Sequence, residues 1–251
     1  MFLGIHNRIN AATLSGGDWT TLGNVKNRQL YSVARSTNAT TGATRFDIDL
    51  GVSYAITSAS IHAHNLSSAA TITLKAGTTS GASDVLNSTG NAAYSVTFDA
   101  IREYSSHYSV ILAAGVTARY WSIEITDTGN SDGYVEIGRV GLWQGIAPAV
   151  NMSWGVQYGI RDNSVSDYSL SGDFIYDQRS RKRTANFLLD FLTDTERDVV
   201  HELLRVAGET GEILLDVDSQ IYNMLGRLEK LGPLQRKSLN INASEWEITE
   251  L

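Results

Sequence analysis

The 251-residue chain carries a formal net charge of −7 and no cysteine, which excludes a disulfide framework, a thiolate nucleophile and a cysteine-based zinc site. Its apolar fraction of 42% and charged fraction of 19% are those of a globular protein, with length enough for two domains that each bury a core. The acidic balance argues against a nucleic-acid partner, which needs a basic face; without a basic leader or an apolar run of spanning length, neither a signal peptide nor a membrane partner is expected.

Residues 1–147 are rich in Ser, Thr, Ala, Gly and Asn, with short β-type runs between turn clusters such as Ser15-Gly16-Gly17-Asp18. Helical periodicity is missing there, so this half is predicted to be a β-sandwich or barrel. Alternation puts Phe46, Ile48 and Leu50 on one face of a strand, and does the same for Ala70, Ile72 and Leu74 and for Trp121, Ile123 and Ile125. Composition shifts at Ala147-Pro148-Ala149, and a proline among small residues marks a domain boundary near 148. Beyond it, residues 152–160, 172–176 and 183–191 read as strands. The basic run Arg179 to Arg183 reads as a solvated or partner-facing strand edge. Thr193 and Glu196 form a capping box for a helix over 194–207 that ends at Gly208. Strands follow at 212–217, within 222–231 and at 238–248. Residues 148–251 are therefore expected to form a smaller α+β domain.

No nucleophile elbow, phosphate loop, dinucleotide fingerprint or His-Glu-x-x-His pattern occurs, so enzymatic activity is not expected. His62 and His64 share a strand face at a spacing that could hold a transition metal, but no third ligand is evident, and a polar face or a subunit contact is the simpler reading. Asp127, Asn130, Asp132 and Glu136 offer oxygens at short intervals between glycines. They suit either a structural calcium ion or an ordinary turn, and no other cofactor is implied. Asp47 and Asp49 are paired carboxylates, but on the outward face of an alternating strand, which does not suit glycoside cleavage. Trp19, Tyr31, Tyr54, Tyr104 and Tyr108, with Arg28, Arg45 or Arg102, could build a sugar-stacking platform or serve cores and interfaces.

The run Arg45-Phe46-Asp47-Ile48-Asp49-Leu50-Gly51 followed by Ile56-Thr57-Ser58-Ala59-Ser60-Ile61 resembles the strand pair of galactose-binding-like, discoidin-type domains. Arg119-Tyr120-Trp121-Ser122-Ile123-Glu124-Ile125 and Gly133-Tyr134-Val135-Glu136-Ile137-Gly138-Arg139 look like the closing strands of such domains in tail proteins of long-tailed phages. Phe191-Leu192-Thr193-Asp194-Thr195-Glu196, with the terminal strand through Trp246, is similar to phage tail-tip and distal-tail proteins. The resemblance implies a jelly-roll β-sandwich with a smaller assembly domain, in a virion component assembled in the host cytoplasm. It further implies other tail proteins, a ring of identical copies and host-surface glycans as partners. Trp19 and Tyr31 are ligand or interface candidates. The run Arg179 to Arg183, with Arg181 and Arg183 as interface candidates, is expected to meet the acidic stretch Glu209 to Asp218 across the ring interface. The rival reading is a carbohydrate-binding receptor adhesin.

Overall fold

The structure is a computed structural model that describes residues 1–91, 106–208, 210–217, 222–229 and 232–251. The first half contains β1 (Phe2–Asn7), β2 (Thr13–Ser15), β3 (Trp19–Thr20), β4 (Ala34–Ser36), the short helix α1 (Thr41–Thr44), β5 (Phe46–His64), β6 (Thr71–Gly77), β7 (Leu86–Asn91), β8 (His107–Thr126) and β9 (Glu136–Ile146). The second half contains β10 (Gln157–Arg161), β11 (Val165–Tyr168), β12 (Phe174–Asp177), β13 (Lys182–Leu192), α2 (Asp194–Ala207), β14 (Glu212–Asp216), β15 (Met224–Leu228), β16 (Leu234–Ser238) and β17 (Ile241–Glu250). This is the mainly β architecture expected, with every recorded pairing antiparallel. Among the described residues no helix is long and apolar enough to cross a membrane.

The three inward sets read from alternation all face the first core: Phe46, Ile48 and Leu50, Ala70, Ile72 and Leu74, and Trp121, Ile123 and Ile125 are buried together in it. β5 and β8 are too long to stay flat, and they bend where their pairing breaks. Gly51, at φ +80, sits in the break between Asp49 and Tyr54, a left-handed backbone that a side chain would strain. Farther along, β8 inserts residues 112–115 between the pairs Ser58↔Ile111 and Ile56↔Val116, ending in Gly115 at φ +66. Such bulges sharpen twist and turn a strand from one layer toward the next. The bent ribbon thereby brings Phe46 and Ile48 from one end into the same core as Ile61 from the other.

Hydrogen bonding does not stop between the halves. The strand order β10-β13-β17-β15-β14-β1-β9-β5-β8-β6-β7 is continuous, and β1 is its joint, pairing Leu3 with Leu215 on one side and with Ile146 on the other. Leu3, Ile5 and Ile146 consequently pack in the second core with Phe187, Leu189, Trp246 and Ile248. A division at 148 leaves these three side chains packing across it. Where the C-terminal segment reads as one strand from 238, the chain instead turns at Leu239 and Asn240 (φ +58) and forms the β16–β17 hairpin. Asparagine tolerates that conformation because its short amide can bond locally.

Helix α2 spans 194–207 as expected, with Thr193 accepting from Glu196 N and Glu196 returning a bond to Thr193 N. It buries Val200 and Leu204 against the second core. Thr193→Ala is expected to cost about 1 kcal/mol, read as a lower denaturant midpoint at unchanged slope. An unshifted midpoint would mean that tertiary packing alone holds the helix start.

Candidate functional site

The residues of the calcium-type loop are held by protein donors. Asp127 is buried and accepts from Ser67 N at 2.9 Å, from Ser67 Oγ and from Asn130 Nδ2 at 2.9 Å. Asp132 accepts from Asn65 Nδ2 at 2.8 Å, and Glu136 is paired with Arg35. Each oxygen set pins the loop to a different neighbour, and among the described residues no group of three or more His, Asp or Glu is placed to hold a metal ion.

The aromatic platform is not assembled. Trp19 packs edge-on against Phe46 at 5.7 Å and donates its indole N–H to Arg45 O. Tyr54 lies under the Arg8 guanidinium at 3.9 Å, Tyr108 is buried, and among the described rings of the set Tyr31 alone stands free in solvent. Tyr104 and Arg102 lie outside the described residues. Arg28 donates to the Thr210 carbonyl, and Arg45 binds Asp47 at 3.0 Å. Rings that read as a binding face in sequence are mostly spent on packing, which uses the same amphipathic chemistry.

Asp47 and Asp49 are likewise committed. Arg119 grips Asp49 with two bonds of 2.7 and 2.8 Å, and these, with the Gly51 N–H, hold its carboxyl down to about 2. A group ionised at every working pH cannot serve as a general acid.

His62 and His64 are buried rather than a wet face. His62 stacks at 6.2 Å on His107, its register partner in β8, and shares the Ser60 hydroxyl with the Trp143 indole. His64 Nδ1 accepts from Leu66 N.

Arg179 pairs with Asp177, Arg181 with Asp162, and Arg183 with Glu250, all within the chain. The acidic stretch meant to meet them is engaged elsewhere: Glu212 is buried against Arg139, and Asp216 is bonded by Ser109 and Asn223. Glu209 and Asp218 lie outside the described residues.

Two surface features bear on binding among the described residues, besides a pocket at β14 and β15. One is an open cleft of about 320 Å³ on the sandwich, lined by Ser53, Thr78, Val85, Thr117, Arg119 and Tyr120. The other is an arm. β10 and β13 continue into β11 and β12, a two-stranded ribbon whose strands, among the described residues, pair with each other alone. The register puts Tyr168 opposite Phe174 and Ser166 opposite Tyr176, so one face of the ribbon displays three rings. Their centroids are 5.4 and 6.4 Å apart along the row, and the three side chains are 70%, 60% and 51% exposed. Leu170, at the turn, is wholly exposed. A two-stranded hairpin without a packed face is marginal in water, and a contiguous apolar patch on a soluble surface marks an interaction site. Sequence reasoning placed a strand here but not the exposure. Ser169-Leu170-Ser171-Gly172-Asp173 between two β-type runs is a hairpin signal, whereas the lack of a covering surface has no local signature.

No family model matches the sequence, and no curated protein matches it. Solved structures do resemble part of it. The family 32 carbohydrate-binding module of Clostridium perfringens NanJ, in complex with galactose, aligns over 57% of this chain and all of its own at 12% identity and a TM-score of 0.41. The family 32 module of AlyQ, in complex with 4,5-unsaturated mannuronic acid, aligns over 54% of this chain and 95% of its own at 19% identity and a TM-score of 0.39. The lectin domain of lectinolysin, complexed with Lewis B antigen, aligns over 56% and 98% at 16% identity and a TM-score of 0.39. At such identities what this chain binds is a matter for its own side chains.

Proposed function

We propose that this protein is a non-catalytic assembly component, working through protein–protein contacts as a part of a phage tail tip or baseplate that forms a ring with copies of itself. The observation that carries this reading is the arm: an apolar, three-ring face held out in solvent on a two-stranded ribbon makes sense when another protein covers it. The polar surface supports the same reading, because among the described residues its carboxylates and guanidinium groups are largely spent on each other. The β-sandwich is then a carrier domain, joined to the assembly half by β1. Native mass spectrometry of the full chain is expected to give a ring-sized oligomer, and immunogold labelling of particles to mark one end of the tail. A monomer at every concentration, with unlabelled particles, would sink the reading.

A second reading, a glycan-binding adhesin, is favoured by the cleft beside Arg119. The hydroxyls of Ser53, Thr78 and Thr117 supply both donors and acceptors for a sugar's hydroxyls, beside the Tyr120 ring under the Arg119 guanidinium at 4.8 Å. Glycan binding in solution that Arg119→Ala lowers by about tenfold or more, as loss of a charged hydrogen bond should, would support it. Binding that ignores the substitution would count against the cleft.

A further inference from the structure

The arm ends in a turn that is closed by bonds from Gly172 N to Ser169 O at 2.9 Å and from Ser169 N to Asp173 O at 2.8 Å. It holds Leu170 out at 111% exposure. Asp177 at the base of the arm is paired with Arg179, while Asp167 and Asp173 flank the turn with no basic residue between residues 165 and 177, so the tip is an apolar knob in an acidic collar.

A complementary feature lies elsewhere on the chain. A pocket of about 490 Å³ opens where the Arg28 loop meets β14 and β15, with Leu228 and Leu251 in its lining and Arg28 and Arg227 beside them. Arg28 donates to a neutral acceptor, the Thr210 carbonyl at 2.6 Å. Arg227 lies 3.7 Å from Glu229, but that carboxylate also takes Arg161 at 3.0 Å. Glu212, the other acid of the lining, is matched by the buried Arg139. Arg161 is itself shared with Glu247 at 3.6 Å, so the rim keeps one cation, Arg28, without a carboxylate partner among the described residues, set over an apolar floor: opposite in charge to the collar and matched in character to the knob. Being wholly exposed, Leu170 does not fill the pocket of its own chain.

We infer that the arm tip of one copy seats Leu170 in the Arg28–Arg227 pocket of a second copy. This rests on the assembly reading above and names its contact. Knob and pocket are different patches of one chain, so the contact is head-to-tail and either closes a ring or extends a filament. Like other interfaces, it would have an apolar centre and a charged rim that sets orientation.

The chain has no cysteine, so introduced thiols report on the contact alone. The full-length Leu170→Cys/Thr210→Cys double variant is expected, on mild oxidation, to give a ladder of dimers, trimers and higher multiples that reductant collapses, while each single variant stops at dimers. Independently, Leu170→Asp should raise the concentration for half-assembly by about tenfold or more, the effect of losing an interface anchor. Its melting temperature should not move, because Leu170 lies in open solvent. If the unmodified chain assembles but the double variant gives no ladder and Leu170→Asp assembles normally, the contact is wrong and the assembly reading survives. If the unmodified chain stays monomeric, both fall. An arm that is needed only to hold a different tail protein would also overturn the inference.

Discussion

Arg139→Met is expected to destabilise the protein by about 3–5 kcal/mol, the cost of leaving one member of a buried ion pair without its partner. Arg139 is wholly buried on β9 and meets Glu212 at the start of β14, with Nε 3.0 Å from Oε2 and Nη2 on Oε1. The pair is closed on every side. Arg139 also donates to Asn10 Oδ1, and Glu212 Oε1 accepts from Asn7 Nδ2 at 3.0 Å. Asn7 in turn takes the Leu142 and Ile9 amides and reaches Val140 O at 3.2 Å. Charges buried this deeply are tolerated only when each lone pair and proton is matched. Replacing arginine by a side chain of similar length keeps the packing and isolates the Glu212 carboxylate. The double variant Arg139→Met/Glu212→Leu should therefore be more stable than Arg139→Met, short of the unmodified protein by the unpaired amides of Asn7 and Asn10. Urea denaturation midpoints of the three proteins decide it. A single variant that loses less than about 1 kcal/mol would mean that water reaches the pair and the penalty does not arise. Because the network links β9 and the residue 7–10 segment to β14, it also fixes one half of the chain against the other.

What the sequence discloses about this fold is what local pattern can carry. Phe46, Ile48 and Leu50 announce their face because a period of two with one wet side leaves no other register. Thr193 and Glu196 announce a helix start because both partners of the box lie within four residues. β1 is silent for the opposite reason. Its place between β9 and β14 depends on partners more than 130 residues away, Leu3 with Ile146 and with Leu215, and pairing at such range leaves no trace in a short window. The candidate site is legible only in part for a related reason. Trp19 and Tyr108 have the composition of a sugar platform, yet a ring that stacks on a ligand and one that fills a core look alike until the neighbours are known. Phe174 and Tyr176 invert the case: they fall in a run that reads as an ordinary strand, and only their exposure together with Tyr168 makes them a surface.

Acid should unfold this protein through histidines before carboxylates matter, and His64 sets the window. Burial pushes its imidazole down to about 4, against a smaller opposing pull from a hydrogen bond linked to His107 and from the Asp127 charge. Burial likewise holds His62 well below the usual range, helped by the neighbouring His107, His64 and Arg139. His64 depends on being neutral, since its Nδ1 accepts the Leu66 N–H at 3.2 Å, and His62 is buried with its Nε2 2.9 Å from the Ser60 hydroxyl. In the unfolded chain these rings bind a proton near pH 6.5, whereas in the folded chain they resist it. The stability they contribute is therefore complete above about pH 6.5 and is lost as the pH falls toward 4. For His64 alone the loss is roughly 3 kcal/mol across that range, at 1.36 kcal/mol per pKa unit; His62 adds to it with the same sign. Asp49, held down to about 2 by Arg119, gives up its share only below the ordinary carboxylate range. Urea midpoints at pH 7.5, 6.0, 5.0 and 4.5 should fall steeply for the unmodified protein. His64→Gln, which cannot charge, should start lower and fall with a shallower slope. Parallel slopes for the two proteins would mean that His64 takes up its proton in the folded state as readily as in the unfolded one, and that the buried ring is not the acid-sensitive element.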